Sequence, residues 1–205
     1  MAPTILITGF GPFPGAPFNP TGPLVKRLTR LRPVSAKIVT HIFETSYAAV
    51  DRDLPKLIAR HRPQALLMFG LAGRARVLRI ETRARNELAQ LADAAGKTPR
   101  RAAIEAGGPA ALPMPAQAQR LLDAVRKARV PVRRSRDAGT YLCNYLCWRA
   151  ARAAGIAGGP KLAAFVHVPL VAAGRTAPKK DQVTLDDLVR AGAAVLTEVA
   201  KACLD

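Results

Sequence analysis

The sequence predicts an α/β protein: a three-layer α/β/α sandwich around a mostly parallel, twisted sheet. Short β-branched apolar runs recur along the chain and are stopped by glycine, as in residues 4–9, Thr-Ile-Leu-Ile-Thr-Gly. Segments of helical periodicity alternate with them, which is the pattern of strands joined by crossover helices. The chain is 49% hydrophobic, with only 5% aromatic residues, so small aliphatic side chains must pack helices closely onto the sheet. No internal repeat and no linker divides the 205 residues, so a single domain, 1–205, is expected.

Taken in order, residues 4–9 form the first buried strand, and residues 9–22 a loop crowded with Gly and Pro that carries Phe10, Phe13 and Phe18. Residues 23–31 have helical spacing, residues 34–42 read as a strand, and residues 50–61 as a helix through Leu54, Leu57 and Ile58. Residues 65–69 are a third buried strand, stopped by Gly70 and Gly73. Residues 77–85 alternate apolar and polar side chains, which predicts a strand with one exposed face. Residues 87–114, rich in Ala, Gly and Pro, read as loop with short helices. A helix over 115–128, a short strand over 130–134, a helix over 144–154, a buried strand over 163–168 and a long helix over 185–204 complete the chain. Residues 181–184 supply the cap of that last helix, with Asp186 and Asp187 in its first turn. In such a sheet the site lies outside the carboxyl ends of the strands, where the loops after Ile7, Phe69 and Val166 would all open.

Charge and cysteine content narrow the function classes. The formal net charge is +18, yet the arginines are spread along the whole chain among alanines, and stacking aromatics are scarce. That composition predicts nonspecific contact with nucleic acid at low salt rather than a reader of nucleic acid. Three cysteines make no paired framework, and Cys143 and Cys147 have no third and fourth ligand nearby, so no metal site is expected. No apolar run approaches the roughly 20 residues of a membrane span, and the first residues lack the basic start of a signal peptide. A cytoplasmic protein is expected.

The chemistry concentrates at Cys143 and His167. Small residues, Asp137-Ala138-Gly139-Thr140, lead to Tyr141-Leu142-Cys143-Asn144, and a helix-compatible stretch follows. A thiol at a helix N-terminus feels the positive end of the macrodipole, which favours thiolate, and the free backbone N–H groups there can hold an oxyanion. His167 lies in a separate buried strand, Phe165-Val166-His167-Val168-Pro169. A thiol nucleophile with an imidazole base is the equipment of acyl transfer. From its spacing alone, Glu81 reads as a partner of Arg79 or Arg83 on a solvated face. Phe10 and Phe13, read from the loop alone, are hydrophobic anchors that pin it to the core.

Four segments together resemble the type I pyroglutamyl peptidases, also called pyrrolidone-carboxylate peptidases. They are Ile5-Leu6-Ile7-Thr8-Gly9-Phe10-Gly11-Pro12-Phe13 continuing to Asn19-Pro20-Thr21; Ile80-Glu81-Thr82-Arg83-Ala84-Arg85-Asn86; Ala138-Gly139-Thr140-Tyr141-Leu142-Cys143-Asn144; and Phe165-Val166-His167-Val168-Pro169. The resemblance implies a cysteine omega-peptidase that removes N-terminal pyroglutamate from peptides through a thioester, without metal or organic cofactor. It implies Cys143 as nucleophile, His167 as base and later acid, and Glu81 as the carboxylate that orients the imidazole. It further implies Phe10 and Phe13 against the lactam ring, Tyr141 and Leu142 lining the site, and assembly as a homotetramer.

Two stretches depart from the family pattern. Where the family shows Gly-Gln-Ala-Gly-Gly-Arg, this chain reads Gly70-Leu71-Ala72-Gly73-Arg74-Ala75. After Asn86 an Asp-Ala-Arg-Ile-Pro-Asp-like run is replaced by Leu88-Ala89-Gln90-Leu91-Ala92-Asp93-Ala94. These changes leave room for two alternatives: a related thiol hydrolase on another amide or lactam, or a basic binding protein that kept the fold.

Overall fold

The computed structural model describes residues 2–30, 36–171 and 182–204. Leu31, the start of the expected second strand at 34–35, and Asp181 of the expected cap lie outside these residues. Among the described residues, eight strands and five helices alternate. They are β1 Thr4–Phe10, α1 Thr21–Leu28, β2 Lys37–Phe43, α2 Tyr47–His61, β3 Ala65–Leu71, β4 Leu78–Glu81, β5 Arg83–Arg85, β6 Ala111–Pro113, α3 Ala118–Lys127, β7 Val132–Ser135, α4 Leu142–Ala154, β8 Leu162–Val168 and α5 Leu185–Ala202. No helix among them is long and apolar enough to cross a membrane.

Six strands form one sheet in the order β2-β1-β3-β8-β4-β7. Every neighbouring pair is parallel except β4 with β8, which run antiparallel. The carboxyl ends of β1, β3 and β8 therefore share one edge, as the sequence predicts, and β4 enters the sheet from that same edge. The short β5 and β6 pair as a separate antiparallel ribbon.

Alternation along the strands builds two cores. Ile5, Ile7, Leu67, Phe69, Val166 and Val168 point to one face, where they meet Leu24 and Leu28 of α1, Leu121 and Val125 of α3, and Leu188, Val195 and Leu196 of α5. Leu6, Phe10, Leu66, Met68, Ala163 and Phe165 point to the other, against Val50 and Leu54 of α2 and Leu142, Leu146 and Trp148 of α4. A helix layer on each face completes the α/β/α sandwich.

The stretch expected as one strand over 77–85 differs in two respects. It is two strands broken at Thr82, whose N–H and hydroxyl both bond to the Ser135 carbonyl, at 2.9 and 2.8 Å. Its polar alternation does not mark a solvated face either, since Glu81 is buried. The period of two was read correctly, but a polar face can be covered when its groups find partners inside.

Helix starts follow ordinary capping chemistry. Ser46 accepts from the Ala49 N–H and starts α2 three residues before the predicted point. Thr184 and Asp187 form a reciprocal capping box at α5, each side chain accepting from the other's backbone N–H. Replacing Thr184 with Ala should lower stability by about 1 kcal/mol, measured as a lower urea midpoint with an unchanged slope.

Candidate active site

His167 is the penultimate residue of β8, and Glu81 is the last of β4. The antiparallel register sets Glu81 opposite Phe165 and Arg79 opposite His167, so Glu81 and His167 are diagonal neighbours on one face. A glutamate is long enough to span that diagonal, and Glu81 Oε1 lies 2.8 Å from His167 Nδ1. Both are withdrawn from water, at 2% and 5% exposure. The surface-partner reading of Glu81 is thereby excluded. Its second oxygen, Oε2, is buried with no hydrogen-bond partner among the described residues, so the imidazole is the carboxylate's main compensation.

Cys143 arrives from the opposite direction. Gly139, at φ +79, provides the left-handed turn that a side chain resists, and its N–H donates to Asp137 Oδ1 at 3.0 Å. Tyr141, in extended conformation and without a side-chain cap, sits just before α4. Helix α4 begins at Leu142, earlier than the sequence periodicity suggests, so Cys143 falls within its first turn. The first-turn N–H groups have no intrahelical acceptor. Asn144 fixes this turn: fully buried, it accepts from the Arg85 N–H at 2.8 Å and donates to the carbonyls of Arg85 and Glu87 at 2.8 and 3.1 Å.

Gly70 is the floor of the arrangement. It pairs with His167 in the parallel β3–β8 register and is buried. A Cβ placed on it would come within 2.7 Å of Cys143 Sγ and 2.5 Å of Phe165 Cζ. Those are distances at which atoms cannot coexist, so only glycine lets the sulfur settle over the sheet. Phe165 in turn packs edge-on to the His167 ring, centroids 4.9 Å apart.

The charges of this cluster reinforce one another. Burial is the strongest single influence on His167 and pulls its pKa down. The negative charge of Cys143 and a hydrogen bond to it, then the hydrogen bond and charge of Glu81, outweigh burial and lift His167 to about 9. Near neutral pH the imidazolium form of His167 is therefore favoured. Cys147, one turn farther along α4, is fully buried and burial holds its thiol well above the ordinary range, so it is an inert core residue.

The four expected wall residues lie on three segments. Phe10 is buried at the end of β1, its ring 5.9 Å from that of Phe43. Phe13 is half-buried in a tight turn, bridged to Ala16. Tyr141 is half-buried and its hydroxyl donates to the Ala92 carbonyl at 2.9 Å. Leu142 is buried among the core residues of the α4 face, so what it can offer a ligand is backbone. The Asn19-Pro20-Thr21 segment holds the loop. Asn19 Nδ2 donates to the Gly11 carbonyl at 3.0 Å, and the Thr21 hydroxyl donates to the Phe10 carbonyl at 2.9 Å while accepting from its N–H at 3.0 Å. A cavity of ≈ 500 Å³ opens beside it, lined by Gly11, Phe43, Thr45 and Ala94 at the ends of β1 and β2. It contains neither Cys143 nor His167, which lie over β3 and β8.

Sequence reasoning missed Gly70 and Asn144 as site residues. A glycine inside a strand, where it weakens the strand unless something must come close, was the available signal for Gly70. Leu71, by contrast, pairs with Val168 and alternates to the face away from Gly70 and His167. The departure from the family at that position therefore turns its side chain away from the thiol. No group of three His, Cys, Asp or Glu side chains able to hold a metal ion occurs among the described residues.

Residues 3–201 match the family described as Pyroglutamyl peptidase. The chain is similar to pyrrolidone-carboxylate peptidase 1 of Ralstonia nicotianae, with 33% identity over 197 residues, 96% of this chain and 92% of that protein. It is also similar to the pyrrolidone-carboxylate peptidase of Thermococcus onnurineus, with 29% identity over 97% of this chain and 99% of that one. Among solved structures, pyrrolidone carboxyl peptidase from Thermococcus litoralis superposes with a TM-score of 0.85 at 27% identity, covering 96% of this chain and 93% of that one. Pyroglutamyl peptidase I from Bacillus amyloliquefaciens gives a TM-score of 0.85 at 27% identity, with 97% of each chain covered.

Two outcomes follow from this geometry. The His167 imidazole should lose its proton as pH rises through about 9, observed by NMR titration, and Glu81→Gln should move that titration to lower pH because an anionic neighbour is removed. Gly70→Ala should destabilise the fold by roughly 1–3 kcal/mol through overpacking. It should also slow iodoacetamide alkylation of Cys143, since the sulfur must leave its seat.

Proposed function

Since the chain belongs to the pyroglutamyl peptidase family, we propose that Cys143, His167 and Glu81 are the groups with which it performs that family's reaction. The protein is a cysteine omega-peptidase that hydrolyses the amide bond following an N-terminal pyroglutamyl residue. The observation that carries the residue assignment is the buried Glu81–His167 pair beside a thiol in the first turn of a helix.

In this reading Cys143 Sγ attacks the pyroglutamyl carbonyl carbon. The carbonyl oxygen takes up the negative charge and is held by first-turn N–H groups, that of Cys143 among them. His167, already protonated, gives its proton to the leaving amine as the C–N bond breaks, leaving a thioester on Cys143. The now neutral imidazole takes a proton from water, and the resulting attack on the thioester expels the thiolate and frees pyroglutamate. Glu81 keeps the ring oriented through Nδ1 and stabilises its cation, as the third member of such triads does.

The lactam carries no charge, so its pocket calls for apolar walls and a few backbone hydrogen bonds. Phe10, Phe13, Tyr141 and the backbone of Leu142 are our assignment for that pocket. It lies toward the carboxyl end of β1, which Phe10 closes beside Phe43 of β2. The rest of the reading is a single unit spanning 1–205, working in the cytoplasm, with nonspecific nucleic-acid contact through its +18 charge. The three free cysteines support the compartment. A homotetramer is part of the same reading; the apolar groove beside α2 and α4, where Ile156 is 66% exposed, supports an association surface.

Release of a fluorophore from pyroglutamyl-aminomethylcoumarin tests the assignment. Cys143→Ala should reduce turnover by at least ~10³-fold. Glu81→Gln should lower kcat more than it raises KM, and shift the alkaline limb of the pH profile downward. Turnover surviving in Cys143→Ala would remove the thiol from the mechanism.

A further inference from the structure

Reading across the sheet on the face that carries His167 gives a row of three cationic side chains. Arg79 of β4 is paired directly with His167, and Arg133 of β7 is paired with Arg79. Paired residues of neighbouring strands share a face, so all three lie on the side where Cys143 sits. Arg79 is half-buried, and its Nε is withdrawn from water without a hydrogen-bond partner. Arg133 is exposed. Arg74 and Arg76, exposed in the loop that leads into β4, belong to the same edge. Among the described residues, none of these four guanidinium groups has a hydrogen bond or an ion pair. Elsewhere on the chain arginines find carboxylates readily, as Arg85 does with Glu87, Arg149 with Asp51 and Arg152 with Glu105.

The order of the strands says which part of a substrate would pass over this row. The pocket assigned to the lactam ring lies toward β1 and β2, the thiol stands over β3, and His167 stands on β8. The proton donated by His167 goes to the leaving amine. The leaving group therefore lies on the His167 side of the sulfur, and its next atoms continue over β4 and β7.

We propose that Arg79, assisted by Arg133, recognises a carboxylate on the leaving group, so that the enzyme favours pyroglutamyl substrates whose departing portion is anionic close to the scissile bond. This rests on the assignment of the thiol and ring pocket given above. A half-buried guanidinium with an unused donor gains more from a carboxylate than from a neutral amide, because the charge is already partly stripped of water. The carboxylate has two possible sources: the C-terminus of a pyroglutamyl dipeptide, or the side chain of an acidic residue following pyroglutamate in a longer peptide.

The test compares kcat/KM for pyroglutamyl-alanine, pyroglutamyl-alanine amide and pyroglutamyl-glutamyl amide in wild type, Arg79→Gln, Arg79→Lys and Arg79→Gln/Arg133→Gln. In wild type at low ionic strength, the first or third substrate should exceed the neutral amide by about tenfold, the scale of one charge-assisted hydrogen bond. A preference for the first alone identifies the terminal carboxylate, and for the third alone the acidic side chain. The ratio should fall toward one in Arg79→Gln and the double variant, be partly kept in Arg79→Lys, and shrink with added salt. Because the ratio is taken within each variant, partial loss of folded protein does not imitate the effect. Equal turnover of all three substrates by wild type, or a ratio untouched in the double variant, overturns the proposal while leaving the peptidase assignment standing. No turnover of any of the three substrates overturns both.

Discussion

A carboxylate taken out of water beside an imidazole is the interaction on which the rest of the site depends. Glu81 is shielded almost completely, and one of its oxygens has no partner among the described residues, so the arrangement is tolerable only with a cation held against the other. Against the pull of burial, Cys143 and Glu81 together hold His167 in its protonated form. The three groups come from two adjacent strands and one helix start, and each is positioned by backbone that has its own reasons to be where it is. The antiparallel register fixes the first pair, and Asn144 and Gly139 fix the helix start.

Much of this was legible in the sequence, for identifiable reasons. Buried strands declare themselves when both faces are apolar, and β1, β3 and β8 were read within a residue or two. Cys143 and His167 were legible as chemistry because a thiol before a helical stretch and a histidine in an apolar strand are conspicuous. Glu81 was not legible from its own surroundings. A polar residue alternating with apolar ones looks the same whether the polar side faces water or a buried partner 86 positions away, and only the family motif selected it. The break at Thr82 was hidden for a related reason, since its bonds go to Ser135, far along the chain.

The residues that sequence reasoning overlooked act by being small or by bonding to backbone. Gly70 contributes an absence of atoms, and nothing in a linear pattern says which later residue will need the space. Asn144 bonds to three backbone groups near residue 85, so its purpose exists only after β5 has packed against α4. Leu71 teaches the converse. Its substitution reads as a change beside the site, yet strand alternation turns its side chain to the far face. Proximity in sequence to a catalytic segment carries little weight until the face is known.

The position of β8 in the sheet has a consequence in time. Among the described residues it is the last strand in sequence, yet it lies at the centre, with β2-β1-β3 on one side and β4-β7 on the other. Until it inserts, the two halves of the sheet have no common seam, and the thiol has no imidazole beside it. Closing that seam pairs residues about a hundred positions apart, a step slowed by the entropy of bringing distant segments together. A chain emerging during synthesis thus carries Cys143 before its histidine is in place. The two side chains meet only when the sheet is completed, so an incompletely folded copy keeps them apart.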